Sequence, residues 1–137
     1  MRLFNILRTS AKRKKVLILC EMLIKKYENT RTPSCKDELL NHIDEGLKDL
    51  AKDIVLWDDS TTYEEIAHSL IISTTEGMLS SGRYNIYTGV INPMKCGHNL
   101  LHCYEKSLKW GLDNGYYDEE VYDSQRQELM RCISAVG

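Results

Sequence analysis

Apolar residues recur every three to four positions along almost the whole chain, and this spacing limits the fold more than any other feature. Residues at i, i+3, i+4 and i+7 share one face of an α-helix, whereas a half-buried strand alternates every second residue. Five segments show the helical spacing, separated by polar breaks such as Thr32-Pro33-Ser34 and Asp113-Asn114-Gly115. The sequence therefore predicts an all-α protein, a compact bundle of about five helices.

Capping residues predict where these helices begin and end. Ser34 and Asp118 are suited to cap the second and fifth helices, and Asn92-Pro93 to start the fourth. Gly115 can end the fourth helix in the left-handed conformation. Residues 82–93 form the one long connection, and its many apolar residues predict an ordered segment laid over the core.

Length and composition fit one domain. The 137 residues are 42% hydrophobic and 28% charged, which is typical of a globular chain. We expect a single helical domain over 1–137, with 1–11 as a candidate separate arm. Gly46 lies inside the second helix, and we interpret it as a close helix crossing.

The amino-terminal segment has two apolar faces that do not align. On a helical wheel, five apolar residues of this segment lie within about 80° of a common centre: Leu3, Phe4, Ile6, Leu7 and Ala11. The apolar stripe of residues 16–27 is centred about 140° away. Either the chain breaks near Thr9-Ser10, or the first segment binds something that the core does not supply. Ile18 and Met22 add apolar character on other sides, which predicts a central place for this helix in the bundle.

Charge is divided unevenly along the chain. Residues 1–26 hold eight basic residues and one acidic residue, a net charge of +7, which leaves −9 for the remainder because the total is −2. Such a basic arm fits an acidic protein surface, nucleic acid phosphates, an anionic membrane surface or the chain's own acidic part. We favour a protein partner, which includes a second copy of the chain. Nucleic acid is disfavoured because no aromatic residues are interleaved in the basic run. A membrane surface is disfavoured more strongly than nucleic acid.

Two regions are candidate partner-binding surfaces: the amphipathic basic arm from Arg2 to Lys15 and the connection from Arg83 to Tyr87. Eight tyrosines accompany a single phenylalanine, and tyrosine is favoured at interfaces. The acidic turn at 113–123 is a candidate acceptor for a basic partner or for the arm of a second subunit. The candidate partner-binding residues are Leu3, Phe4, Leu7, Arg8, Lys12, Arg13, Lys14, Lys15, Arg83, Tyr84 and Tyr87.

One helical face could hold a divalent metal. His98, His102 and Glu105 follow one another at i, i+4 and i+7, and another helix could add His68. The plainer interpretation is a solvated helix edge on which Glu105 pairs with Lys109. We expect no cofactor, with a divalent metal as the alternative.

The five cysteines show no compact spacing, so we expect free thiols and a cytoplasmic protein. A signal peptide is disfavoured because the apolar run of residues 16–24 contains Glu21 and is followed by Lys25-Lys26.

No catalytic motif stands out, so we assign no catalytic residue. The expected function is non-catalytic protein–protein interaction or regulation, as in an inhibitor, an immunity protein or an adaptor. The alternatives are metal binding by the fourth helix and nucleic acid contact through the basic arm.

Overall fold

The computed structural model confirms the predicted all-α bundle. It describes residues 2–49, 62–84, 86 and 96–136, and the side chains of 11–49, 62–84, 86 and 96–134. Within these ranges the chain forms five helices and no strand. The helices are α1 (Arg2–Tyr27), α2 (Lys36–Asp49), α3 (Tyr63–Ser80), α4 (Gly97–Asp113) and α5 (Glu119–Val136).

Helices that follow one another in the chain run in opposite directions where their contacts fix the direction. Lys36 at the start of α2 is 3.5 Å from Glu21, and Asp44 further along α2 is 3.7 Å from Arg13. The pairs α3–α4 and α4–α5 are likewise antiparallel, as contacts between His68 and Trp110 and between Arg126 and Glu105 indicate.

The middle of the bundle is α3, which contacts each of the other four helices. Its apolar residues Ala67, Ile71, Met78 and Leu79 are buried. The prediction that the first helix is central is therefore wrong. One face of α1 packs on the core through Val16, Cys20, Leu23 and Ile24, whereas Ile18 and Met22 are exposed.

The backbone of α1 is continuous from Arg2 to Tyr27, so the chain does not break near Thr9-Ser10. The other alternative for the diverging apolar faces, that the first segment binds something outside the core, stays a prediction. The separate arm over 1–11 stays a prediction. None of the described helices has both the length and the apolar character that crossing a membrane requires.

The predicted helix ends at Asp118 and Gly115 are confirmed, whereas α2 begins at Lys36, two residues after Ser34, whose hydroxyl accepts the backbone N–H of Lys36 at 3.2 Å. The Asp118 carboxylate accepts the backbone N–H of Val121 at 2.9 Å, and Gly115 takes φ of +78° after α4. Thr62 caps α3 by accepting from the N–H of Glu65, a cap that the sequence analysis missed. The helix α4 begins at Gly97 after Cys96, while Asn92-Pro93 lies outside the described residues.

A buried amide side chain and a disulfide link the α1–α2 connection to the start of α4. The Asn99 side chain accepts from the N–H of Asn29 at 2.8 Å and donates to the carbonyl oxygens of Thr32 and Pro33. Close by, Cys35 and Cys96 form a disulfide across 61 residues of sequence. The expectation that all five cysteines are free is therefore wrong for this pair.

Candidate docking surface

The strongest candidate surface is the side of α1 that faces away from the bundle. Ile18 and Met22 keep 50% and 63% of their surface exposed, and they lie one helical turn apart. Exposed positions on the same side are Ala11, Lys14, Glu21 and Lys25, and the Glu21 carboxylate is 3.5 Å from Lys36 of α2. We define these six residues as the outer face of α1. It combines apolar side chains with a net positive charge, which is the composition of a surface that binds an apolar patch with an acidic border.

The outer face continues the amphipathic stripe of the first segment. At 100° per residue, the predicted apolar positions Leu3, Phe4 and Leu7 fall within the same 100° arc as Ile18 and Met22. The helix between them is unbroken. The side chains of residues 2–10, which include Arg8, lie outside those that the structure describes.

The four basic residues of the run 12–15 have different environments. Arg13 is 3.7 Å from Asp44 of α2 and so helps to hold two helices together. The ammonium of Lys15 is 5.5 Å from the centre of the Tyr63 ring, within cation–π range. Lys14 is exposed and Lys12 is half-buried. Arg13 and Lys15 therefore make contacts within the bundle, whereas Lys14 belongs to the outer face.

The predicted cluster at Arg83, Tyr84 and Tyr87 is only partly described. Arg83 is exposed, but Tyr84 is 8% exposed and its hydroxyl is hydrogen-bonded to Glu38. Burial and the contact with Glu38 raise the pKa of Tyr84 to about 12. Placing Tyr84 on a binding surface is therefore wrong, because its ring belongs to the core. Tyr87 lies outside the described residues, while Ile86 is buried as expected for an ordered connection.

The acidic turn forms a second exposed patch. Tyr116 and Val121 are 49% and 44% exposed, and they are the other two large apolar residues with such exposure in the described part of the chain. They lie among exposed carboxylates. We define the acidic patch as Tyr116, Asp118, Glu119, Glu120, Val121 and Asp123.

The predicted metal ligands of α4 are not brought together as a set. His98 and His102 line one cavity of about 250 Å³ with Asn29 and Thr32. Glu105 instead binds Arg126 of α5, with 2.9 Å between the charged groups. The predicted pair of Glu105 with Lys109 is also absent, because Lys109 binds Asp113 at 3.0 Å. Among the described residues, no three His, Cys, Asp or Glu side chains are arranged to hold a metal ion.

His68 lies in a different environment, between aromatic rings. It is 1% exposed, and its ring stacks on Trp110 with centroids 4.2 Å apart. Burial, aided by the positive charge of Lys26, lowers the pKa of His68 to about 4. Trp110 stacks in turn on Tyr116, and a cavity of about 110 Å³ lies among these rings and Ser107. The neutral imidazole acts as a packed core group, and no sequence motif marked this stack.

The remaining thiols are poorly suited to nucleophilic chemistry. Burial raises the pKa of both Cys20 and Cys103 to about 12. The thiolate is the reactive form, so these two cysteines are inert near neutral pH. Cys132 is half-buried.

Comparison of the chain with models of protein families, with curated proteins and with solved structures gave no match.

Proposed function

We propose that this is a small non-catalytic interaction protein, of the inhibitor, immunity or adaptor kind, that docks the outer face of α1 on another protein. The observation that carries the proposal is the exposure of Ile18 and Met22 on one side of α1, the side that the helical wheel predicts to be apolar in the first segment. Full burial of a side chain of this size contributes about 1.5–3 kcal/mol. A partner that covers both would gain a substantial part of a binding free energy.

The charges on this face indicate the chemistry of the partner. Lys14 and Lys25 lie on the same side as the two apolar residues and are exposed. Their complement is an apolar patch bordered by carboxylates, since opposite charges at the rim speed association and exclude wrong partners. The inert thiols and the buried neutral His68 are further support for a role without catalysis.

A photocrosslinking amino acid at position 22 tests the proposal in cells. We expect Met22 replaced by benzoylphenylalanine to give a crosslinked species that is lost when Lys14→Glu and Lys25→Glu are added. The matched control carries the same group at Asn41, an exposed position of α2. Equal crosslinking from both positions, or none from position 22, would contradict the proposal.

We also propose a cytoplasmic location, supported by the three cysteines that stay unpaired. The Cys35–Cys96 disulfide argues the other way, since cytosolic reductants keep most thiols reduced. Quenching cells with acid and then alkylating the free thiols of the chain distinguishes a cytoplasmic from an oxidising location. Five alkylated thiols are expected in the cytoplasm, and three would place the chain in an oxidising compartment.

A further inference from the structure

The exposed apolar residues occur in two patches of opposite charge. Ile18 and Met22 lie with lysines on the outer face of α1, and Tyr116 and Val121 lie with carboxylates in the acidic patch. Each patch therefore has the composition that complements the other.

The two patches do not satisfy each other within one chain. In the described ranges, no Cα atom of α1 lies within 8 Å of one in α5. The helix α3 separates them, because it packs against both. The helix α1 thus does not pack on the α5 part of the acidic patch of its own chain, where Glu119, Glu120, Val121 and Asp123 stay exposed to a second molecule.

Both patches border the same end of the bundle. Lys15, next to the outer face, lies over the ring of Tyr63 in the first turn of α3. Tyr116 of the acidic patch lines one cavity with Glu65 and His68 in the first two turns of the same helix. Two copies that meet at this end can each present both patches to the other.

We propose that the occupant of the outer face of α1 is the acidic patch of a second copy of this chain. Pairing one α1 outer face with another would bring lysines against lysines, which charge repulsion opposes. Pairing α1 with the acidic patch brings Lys14 and Lys25 towards Glu120 and Asp123. When both copies contribute both patches, the contact occurs twice and closes as a dimer with two-fold symmetry. This inference rests on the proposed docking function of the outer face.

Charge reversal with mixing tests the proposal. One variant carries Lys14→Glu with Lys25→Glu, and the other carries Glu120→Lys with Asp123→Lys; all four positions are exposed. In either variant alone, positions 14 and 25 carry the same sign of charge as positions 120 and 123 that face them, so we expect dimer affinity to fall at least tenfold. An equimolar mixture restores opposite charges at both contacts, so the mixed dimer should form with affinity near that of the wild type.

Sedimentation velocity at low salt, with circular dichroism as the check on folding, gives the readout. Wild-type dimer, two monomeric variants and a dimeric mixture support the inference. Folded variants whose mixture stays monomeric, or a wild-type chain that is monomeric at millimolar concentration, overturn it. In that case a position-22 crosslink to a protein other than this chain leaves the docking function standing, and no crosslink removes both.

Discussion

At Gly111 the backbone of α4 meets the ring of Tyr117 so closely that a β-carbon would overlap its hydroxyl end. Tyr117 is held there because its hydroxyl donates to the carbonyl oxygen of Leu108. The close approach that we expected at Gly46 occurs here instead. A β-carbon at Gly46 would have no described atom within 4 Å. Helical spacing places both glycines in the middle of a helix, but only the packing shows which of them has a side chain close to its backbone.

Gly111→Ala is expected to lower the free energy of unfolding by about 1–3 kcal/mol, because the new methyl group must displace the Tyr117 ring. The matched control is Gly77→Ala in α3, where a β-carbon meets no described atom within 4 Å. That substitution is expected to raise stability by up to about 1 kcal/mol through helix propensity. Urea unfolding measures both, and similar effects from the two substitutions would contradict the packing at Gly111.

His68 should make stability fall in mild acid. Burial lowers the pKa of its imidazole from 6.5 to about 4, so between these pH values the unfolded chain binds a proton that the folded chain does not. The free energy of unfolding is then expected to fall by up to about 3 kcal/mol as the pH drops from 6.5 to 4, at about 1.4 kcal/mol for each pH unit.

Comparison with His68→Leu isolates this contribution from that of the carboxylates. The difference in unfolding free energy between wild type and variant should change by most of that amount between pH 7 and pH 4.5. The control is Asn41→Ala at an exposed position of α2, which removes no titrating group and should therefore keep the pH slope of the wild type. A His68→Leu protein with the wild-type slope would show that the folded chain protonates His68 normally.

At the scale of the element, the connection between α1 and α2 depends on distant parts of the sequence. The Cys35–Cys96 disulfide joins the residue before α2 to the residue before α4, and the Asn99 side chain binds the same connection. Closing a loop of this length restricts the unfolded chain, which is the main way a disulfide stabilises.

Reduction is therefore expected to lower the free energy of unfolding by about 2–4 kcal/mol. Urea unfolding with and without reductant measures the change. The control is Cys35→Ser with Cys96→Ser, whose stability should not respond to reductant even though Cys20, Cys103 and Cys132 remain. Five alkylatable thiols in the purified protein, after oxidation in air and denaturation without reductant, would show that the disulfide does not form.

The helices themselves could be predicted because their signals are local. Apolar spacing predicted all five, and the capping role of Asp118 and the left-handed Gly115 marked the end of α4 and the start of α5. The disulfide and the Asn99 contacts could not be predicted, because they join residues more than 60 positions apart. The position of α1 was predicted wrongly, because being apolar on several sides does not reveal which side is covered.

At the scale of the whole molecule, the proposed function depends on two exposed apolar patches that carry opposite charge. The basic arm and the acidic turn could both be predicted, since charge can be counted along the sequence without knowing the fold. The exposure of Ile18 and Met22 was not identified, because that depends on how α1 packs against α2 and α3. Tyr84 was misplaced for the same reason, since its ring turns into the core.

The most direct test of the docking role is Ile18→Asp with Met22→Asp, followed by sedimentation and by thermal unfolding. Both residues are exposed, so the unfolding midpoint should stay within a few degrees of that of the wild type. Association of the wild-type chain at twice 15.9 kDa should be lost in the variant. A variant that associates as strongly as the wild type, or one that unfolds well below it, would contradict the account of α1 as an exposed docking face.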